Sequence, residues 1–412
     1  MCDFFHPAVG GAEVHIYQLG SVLCALGHTV VVVTHAVGEQ WRGVKYLSSG
    51  LKVYYLPQLP FYNNTSFPTV VSTLPMMRDI FVRERIQLVH GHSAFSVMAH
   101  EALLHASVMG LASCFTDHSL FGFSDASSIL TNKLLQASLA GTHRVICVSY
   151  ASKENTVLRS HVDPDKVSVI GNAIDPTQFE PDMAARDPRW ITIVFCARLE
   201  LRKGADLLVQ IIPRVCKQVP NARFLIAGDG KKRPLVEEMR DLHGLGERVV
   251  LLGNVSHSQV RSVLVQGDVF LNCSLTEAFC MAILEASAAG LHVVTTCVGG
   301  IPEVLPADMV CLARPNADDL IEKLLACIPR LKSMDARAAH ARLAALYDWK
   351  TVAVKTEAVY RSAVAAARDT RPREVLLQYQ RQCGLVWGKI FVLFWVIDWI
   401  VLKVLEWRDR SH

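Results

Sequence analysis

FLNCSLTEAFCMAILEASAAGLHVVTTCVGGIPEV, Phe270–Val304, is the stretch on which the reading of the whole chain turns. It reads as a short apolar strand, a polar loop carrying Glu277, a helix opening near Ala278 and closing at Gly290, a buried strand and a Gly-Gly turn. If Glu277 and Glu285 are both helical, they stand about 12 Å apart along the axis at a rise of about 1.5 Å per residue. A glycosidase acid/base pair needs about 5 to 9.5 Å, so the two acids suit the two ends of a sugar nucleotide better, one at the sugar and one at the ribose. A plainer reading stays open: Glu in a first helical turn meets the helix dipole favourably, and a second Glu two turns on is a solvated face. Against it, Ala282, Ile283, Leu284, Ala286, Ala288 and Ala289 leave little polar face around Glu285. A Glu among small apolar residues is expected to have a specific partner.

A chain of 412 residues is long for one core and predicts two to three domains. With 51% hydrophobic and 19% charged residues it is not disordered. Its apolar share exceeds the roughly 45–50% of ordinary soluble chains, which predicts contact with a membrane. A net charge of +4 is too weak and too dispersed to argue for nucleic acid. The twelve cysteines are scattered singly with no CxxC, the pattern of reduced thiols in a cytosol-facing protein rather than of a disulfide framework. Asn63, Asn254 and Asn272 head N-x-S/T triplets, but Asn272 falls in a predicted buried strand and none is read as glycosylated. No secretory signal opens the chain.

From the amino end, Met1 to Phe5 gives at most the tail of a strand before the loop HPAVGGAE. Gly10 and Gly11 then precede a helix over 12–26, where small residues let backbone N–H groups approach an anion; a plain tight turn is the alternative. Strands are predicted at Val30–Thr34, Leu51–Leu56, Gln87–His90, Ala112–Thr116 and Arg144–Val148. Residues 57–75, rich in Pro, Asn, Thr and aromatics, read as a long loop with exposed apolar surface. The spacings among His90, His92, His100 and His105 do not give the i, i+4 pair of a helical zinc site, so no metal is expected. His118, in DHSLFG, follows a predicted strand, and the carboxyl end of a parallel strand points into the crevice where open α/β sheets bind ligands. A capping or core histidine is the alternative.

The Pro-, Asp- and Gly-rich stretch VDPDKVSVIGNAIDPTQFEPD contains the best domain boundary. It separates residues 1–165 from a second domain over 166–350. Strands at Ile191–Cys196, Ala222–Ala227, Val249–Leu252, Val269–Asn272, His292–Thr296 and Met309–Leu312 alternate with helices, which argues for a parallel sheet with right-handed crossovers. In ARLELRKG, Arg198 and Lys203 follow the first of these strands. Two cations in such a loop can hold a diphosphate and stabilise it as a leaving group.

Residues 351–384 are read as a return helix and a basic linker, and 385–405 as a transmembrane helix long enough to cross about 30 Å of hydrocarbon. Trp387 and Trp407 suit the interface belts. Lys389 and Lys403 can snorkel, whereas Asp398 costs about 2.5–3.5 kcal/mol near a membrane centre and is expected to face a partner helix. An interfacial helix is the alternative. Arg368, Arg371, Arg373 and Arg381 ahead of the span put the bulk of the chain on the cytosolic side.

Taken in order, the Gly-Gly loop, HIYQL, FTDHSLFGF, ICVSYASKENTVLR, ARL-x4-KG, AGDG, SLTEAFCMAILEA and VGGIPEVLP resemble retaining glycosyltransferase family 4. Within it, over nearly all of residues 3–405, they are similar to the family of catalytic subunits of phosphatidylinositol N-acetylglucosaminyltransferase. The resemblance implies a GT-B fold, two Rossmann-like doubly wound domains facing a cleft, and transfer of N-acetylglucosamine from UDP-GlcNAc to phosphatidylinositol without a metal or other cofactor. It further implies an endoplasmic reticulum membrane location, single-pass with the catalytic domain cytoplasmic, and other subunits as partners. It would assign Glu285 to the uridine ribose, Glu277 to the donor sugar, Arg198 and Lys203 to the diphosphate, and Gly10 and Gly11 to the phosphate side of the first domain. His118 would lie near the reacting carbon and the backbone from Gly253 would edge the uracil. Where many members carry Gly-Phe-Gly after the first Glu, this chain has Ala278-Phe279-Cys280, which keeps the backbone N–H groups for the sugar and predicts a tighter pocket. The family's first strand is almost wholly absent, so its neighbours are expected to lose pairing partners. Two other functions remain on this reading: a different lipid-directed transferase, such as a GDP-mannose enzyme, or a non-catalytic nucleotide-sugar-binding subunit.

Overall fold

A computed structural model describes residues 1–8, 10–62, 64–120, 126–333 and 335–411; Asn63 and the Phe121-Gly122 part of the DHSLFG motif lie outside them. The chain forms two compact units, Met1–Gly171 together with Lys350–His412, and Asn172–Trp349. The division falls a few residues beyond the predicted 165/166 boundary.

The first unit runs α1 (Gly11–Ala25), β1 (Val31–His35), β2 (Gly43–Tyr46), β3 (Lys52–Leu56), the hairpin β4 (Pro60–Tyr62) and β5 (Thr65–Ser66), and α2 (Leu74–Arg83). It continues through β6 (Leu88–His92), α3 (Val97–Met109), β7 (Ala112–Asp117), α4 (Ala126–Ala140), β8 (Arg144–Cys147), α5 (Tyr150–Ser160) and β9 (Val167–Val169). Strands β6-β7-β8-β9 form one parallel sheet; β1 pairs in parallel with β3, whose other edge carries the antiparallel β2. The first two residues of the chain link these sheets. The Cys2 N–H donates to the Val33 carbonyl (3.2 Å) and the His92 N–H to the Met1 carbonyl (3.1 Å), and the Met1 amino group donates to the His90 carbonyl (2.9 Å). The neighbours of the family's first strand are therefore joined at this end, a partial correction of the expected loss of pairing. A half-open pocket of about 900 Å³ lies between them, lined by Ile16, Leu19, Val31, Ile86 and Tyr360 among others.

The second unit contains β10 (Ile191–Cys196), α6 (Ala205–Gln218), β11 (Ala222–Ala227), α7 (Arg233–Leu242), β12 (Val249–Gly253), α8 (His257–Leu264) and β13 (Val269–Asn272). It ends with α9 (Met281–Ala288), β14 (His292–Thr296), β15 (Val310–Ala313), α10 (Ala317–Cys327) and α11 (Ala336–Leu346). All six strands are parallel in the order β12-β11-β10-β13-β14-β15, the doubly wound arrangement whose order reverses between β10 and β13. The strands are legible because a parallel strand covered on both faces is a continuous apolar run; Phe195, Phe224, Ile226 and Leu271 are all buried in this core. On α6, Leu208, Ile211, Ile212 and Val215 recur at helical spacing and are fully buried. One boundary differs in a way that matters. The helix after β13 starts at Met281 rather than near Ala278, because Cys280 has a left-handed φ of 71°. Glu277 is a loop residue, so the helical separation expected between it and Glu285 does not apply.

Two helices follow, α12 (Trp349–Asp369) and α13 (Pro372–Arg410). The stretch read as a linker is thus helical, and Gly384, at φ 78°, kinks α13 immediately before the predicted span. By length and composition α13 is able to cross a membrane, with a mean hydropathy of 2.0 over its most apolar 18 residues. One face, with Tyr379, Cys383, Trp395 and Leu402, is buried together with residues of α3 and α4; Leu385, Val386, Leu393, Ile400, Val404 and Trp407 are exposed. Asp398 does have a helical partner, and it belongs to the same chain: its Oδ2 lies 2.6 Å from Nδ1 of His105 in α3, both side chains fully buried.

Candidate active site

In the second unit the relevant loops leave the carboxyl ends of β10 and β13, neighbours at the point where the strand order reverses. That is where open α/β sheets bind ligands. Gly204 closes the β10 loop at φ 76°, and a Cβ there would stand 1.9 Å from the Cys273 carbonyl oxygen after β13. Only glycine lets the two loops touch so closely. The Leu275 N–H also donates to the Arg202 carbonyl (2.9 Å). This contact brings the Lys203 ammonium into a short ion pair with the Glu277 carboxylate, which also accepts a hydrogen bond from Ser274 Oγ (3.1 Å). The Glu277 carbonyl accepts from the Gly300 N–H (2.9 Å), tying the Gly-Gly turn to the same loop. Arg198 stays 62% exposed, with Glu200 at 3.8 Å its nearest carboxylate partner.

Ala278 and Phe279 are buried. Cys280 takes the left-handed conformation at the position of the family pattern's second glycine. A side chain there costs about 1–2 kcal/mol. Glu285, buried among the alanines as its neighbours suggest, does have a specific partner: its Oε1 lies 3.1 Å from His257 Nε2. The hydrogen bond to Glu285 raises the pKa of His257 despite partial burial. His257 opens α8 and is a site residue that sequence reasoning missed, although its position shortly after the end of the β12 strand is a usable signal. Gly253, at φ 70°, ends β12 and its carbonyl accepts from the Gly228 N–H (2.7 Å). Gly228 is required in turn, since a Cβ on it would lie 2.0 Å from the Ala197 carbonyl oxygen. Along this edge stand an exposed cation, a cation-carboxylate pair, and a carboxylate oriented by an imidazole. Such a set can hold a diphosphate and the hydroxyls on either side of it.

In the first unit His118 follows β7 and meets residues that sequence spacing does not connect. His118 Nε2 lies 3.2 Å from His92 Nδ1, and its ring centroid 4.8 Å from that of His15 on α1. Ring nitrogens of His15, His92 and His118 all fall within 4.8 Å of one another, a donor set of the kind a transition-metal ion accepts. The His90 ring lies 3.9 Å from that of His92, tilted by 34°, with its own nitrogens on Tyr360 (2.6 Å) and Thr116 (2.7 Å). Burial pushes His90, His92 and His118 well below the ordinary histidine value, and the neighbouring imidazoles act in the same direction. All three are neutral at pH 7. The loop is anchored by Asp117, fully buried, which accepts from the Ser119 N–H (3.0 Å) and Thr156 Oγ1 (2.9 Å). His100 and His105 point elsewhere, to Ser138 and to Asp398. Gly10 caps α1 in an extended conformation and Gly11 is its first helical residue.

Two parallel α/β units, the second doubly wound with these charges on its strand-end loops, are those of a GT-B glycosyltransferase. In fold the chain matches sucrose-phosphate synthase from Thermosynechococcus elongatus, with a TM-score of 0.71 at 21% identity over 87% of this chain and 94% of that one. It also matches Anabaena Alr3699/HepE, solved in complex with UDP, with a TM-score of 0.67 at 18% identity over 86% of this chain and 96% of that one. The family model for glycosyl transferases group 1 matches residues 191–329, and the PIGA model, described as GPI anchor biosynthesis, matches residues 35–125. The corresponding phosphatidylinositol N-acetylglucosaminyltransferase subunit from Homo sapiens is 52% identical over 409 residues, 98% of this chain and 84% of its own length. Its counterpart from Arabidopsis thaliana is 51% identical over 406 residues, 98% of this chain and 90% of its own. The chain belongs to the PIGA family of phosphatidylinositol N-acetylglucosaminyltransferase subunits.

Proposed function

We infer that this chain transfers N-acetylglucosamine from UDP-GlcNAc to phosphatidylinositol, the first step of GPI-anchor synthesis, as a retaining enzyme. The observation that carries the site assignment is the convergence, on the second unit's strand-end loops, of Lys203 with Glu277 and of Glu285 with His257. In this reading Glu285, held by His257, accepts from the ribose hydroxyls, and the backbone from Gly253 borders the uracil. Arg198 and Lys203 face the diphosphate. As the bond from sugar to phosphate breaks, their charges neutralise the departing UDP, so that no metal is needed for that purpose. Glu277, oriented by Lys203 and Ser274, accepts from the sugar hydroxyls, with the N–H groups of Ala278, Phe279 and Cys280 beside it. The inositol hydroxyl attacks on the face that UDP vacates and passes its proton to the departing phosphate oxygen. His118 serves the region near the reacting carbon, and Gly10 and Gly11 the phosphate side of the first unit.

The chain works with the other subunits of a GlcNAc-transferase complex. α13 attaches it to the endoplasmic reticulum membrane through its exposed apolar face, which carries Leu385, Val386, Leu393, Ile400, Val404 and Trp407, while its other face packs on the first unit in place of the expected span, and the catalytic units lie on the cytosolic side. The deciding experiment is transfer of labelled N-acetylglucosamine from UDP to phosphatidylinositol, in microsomes of cells that express this chain and lack their own catalytic subunit. Transfer that disappears in Glu277→Ala supports the reading; no transfer by the parent chain, or undiminished transfer by the variant, overturns it. Transfer that survives chelators supports the metal-free step, and recovery of the chain with the microsomal pellet supports membrane attachment.

A further inference from the structure

The first unit contains a second pocket, of about 140 Å³, away from the histidine cluster. Val70, Val97, Leu104, Leu134, Phe391 and Phe394 supply most of its apolar wall, drawn from the segment after β5 and from α3, α4 and α13. We propose that it holds an acyl chain of the phospholipid acceptor, an inference that rests on the acceptor being phosphatidylinositol.

Three observations point to an aliphatic occupant. The polar side chains His100, Glu101 and Ser138 in the wall make their hydrogen bonds inside the protein. His100 uses one nitrogen on Ser138 (2.7 Å) and the other on the Ala94 carbonyl (2.9 Å). Glu101 accepts from the N–H groups of Thr69 (2.6 Å) and Val70 (2.7 Å) and from Thr73 Oγ1 (2.6 Å). An occupant therefore meets carbon rather than these groups, which suits a hydrocarbon and not a sugar or phosphate. Apolar cavities of roughly 150 Å³ stay dry and take up apolar guests.

Secondly, the wall includes a strained residue. Val70 has φ 61°, an outlier for a β-branched side chain, and its N–H is fixed by Glu101. Thirdly, exposed apolar surface adjoins it. Phe67, next in sequence to the lining residue Pro68, lies edge-on to Phe61 at 5.7 Å, and both are exposed along with Leu59. Beyond Phe391 and Phe394 the exposed Leu385, Val386 and Leu393 continue along α13. Clustered exposed apolar residues such as Phe61 and Phe67 mark a membrane or ligand contact. His100, in the pocket wall, stacks on Phe115 of β7, the strand that leads to His118.

The test uses the full-length protein in phospholipid nanodiscs and two probes. In the first arm, phosphatidylinositol carrying a diazirine at mid-chain is photolysed on the parent protein, and labelled peptides are expected from α3 or α4. Label confined to α13, whose exposed face meets the bilayer, or to other segments overturns the proposal. In the second, kcat/KM is compared for dioctanoyl phosphatidylinositol and for chain-free glycerophosphoinositol. Leu104→Trp fills the pocket, and Leu104→Met keeps its volume. Each methylene withheld from burial corresponds to about fourfold, at about 0.8 kcal/mol per methylene. The ratio of the two kcat/KM values is expected to fall at least about tenfold in Leu104→Trp and to stay near the parent in Leu104→Met. Equal losses on both acceptors would mean a structural role and would overturn the proposal. If Leu104→Trp does not fold, the photolabel decides. If the parent protein glycosylates neither acceptor, it is the assigned reaction that fails, and labelling still decides the pocket.

Discussion

Replacing Asp398 tests whether α13 is locked onto the first unit. Its carboxylate and the His105 imidazole are both fully buried, 2.6 Å apart in space and 293 positions apart in sequence, and the other nitrogen of His105 lies 2.9 Å from Thr73 Oγ1. Asp398→Ala removes one member of a buried pair, a change that costs about 3–5 kcal/mol because the remaining polar group is left without its partner. For a folding unit of roughly 150–250 residues, each kcal/mol corresponds to about 2–4 °C. A fall in Tm of about 6–20 °C is therefore expected, read by scanning fluorimetry of the detergent-purified protein. Asp398→Asn keeps a side chain able to hydrogen-bond His105 and should lose distinctly less. The double variant Asp398→Leu/His105→Leu should recover part of the loss, since exchanging both partners for apolar groups is often neutral. A shift below about 2 °C for Asp398→Ala, less than one kcal/mol on this scale, would refute the docked arrangement.

Lys203→Met removes the cation that orients Glu277 and faces the diphosphate; kcat for sugar transfer should drop by about 10²–10³, the usual effect of deleting one electrostatic stabiliser, and steady-state assay would show it. Cys280→Gly should raise stability by about 1 kcal/mol or somewhat more by relieving the left-handed φ of 71°, visible as a small rise in Tm. The His257–Glu285 pair carries a pH signature. The folded pKa of His257 is raised, so its contribution is fully present below the unfolded value, about 6.5, and is lost as pH rises through the folded one. The Tm difference between the parent and His257→Gln should accordingly shrink across that interval; a difference independent of pH would dissociate the imidazole from Glu285.

Much of this protein is local information. Ile191–Cys196, Ala222–Ala227, Val269–Asn272 and His292–Thr296 are strands at the residues where their apolar runs begin and end, because a strand covered on both faces needs no partner-specific pattern to be recognised. Glu285 stands out for a related reason, as the lone acid on an otherwise small and apolar helix. Pairings across the fold are not legible. Lys203 meets Glu277 only because β10 and β13 are neighbours at the reversal of strand order and Gly204 lets their loops touch. His15, His92 and His118 come from three elements, and Asp398 finds His105 only once α13 packs against α3. Even the start of the helix after β13 depends on one residue's backbone, since Cys280 takes a conformation that propensity assigns to glycine. Periodicity and apolar runs are set by each segment's own side chains, whereas which charges meet is set by the order in which crossovers lay strands side by side, and that order is a property of the folded chain.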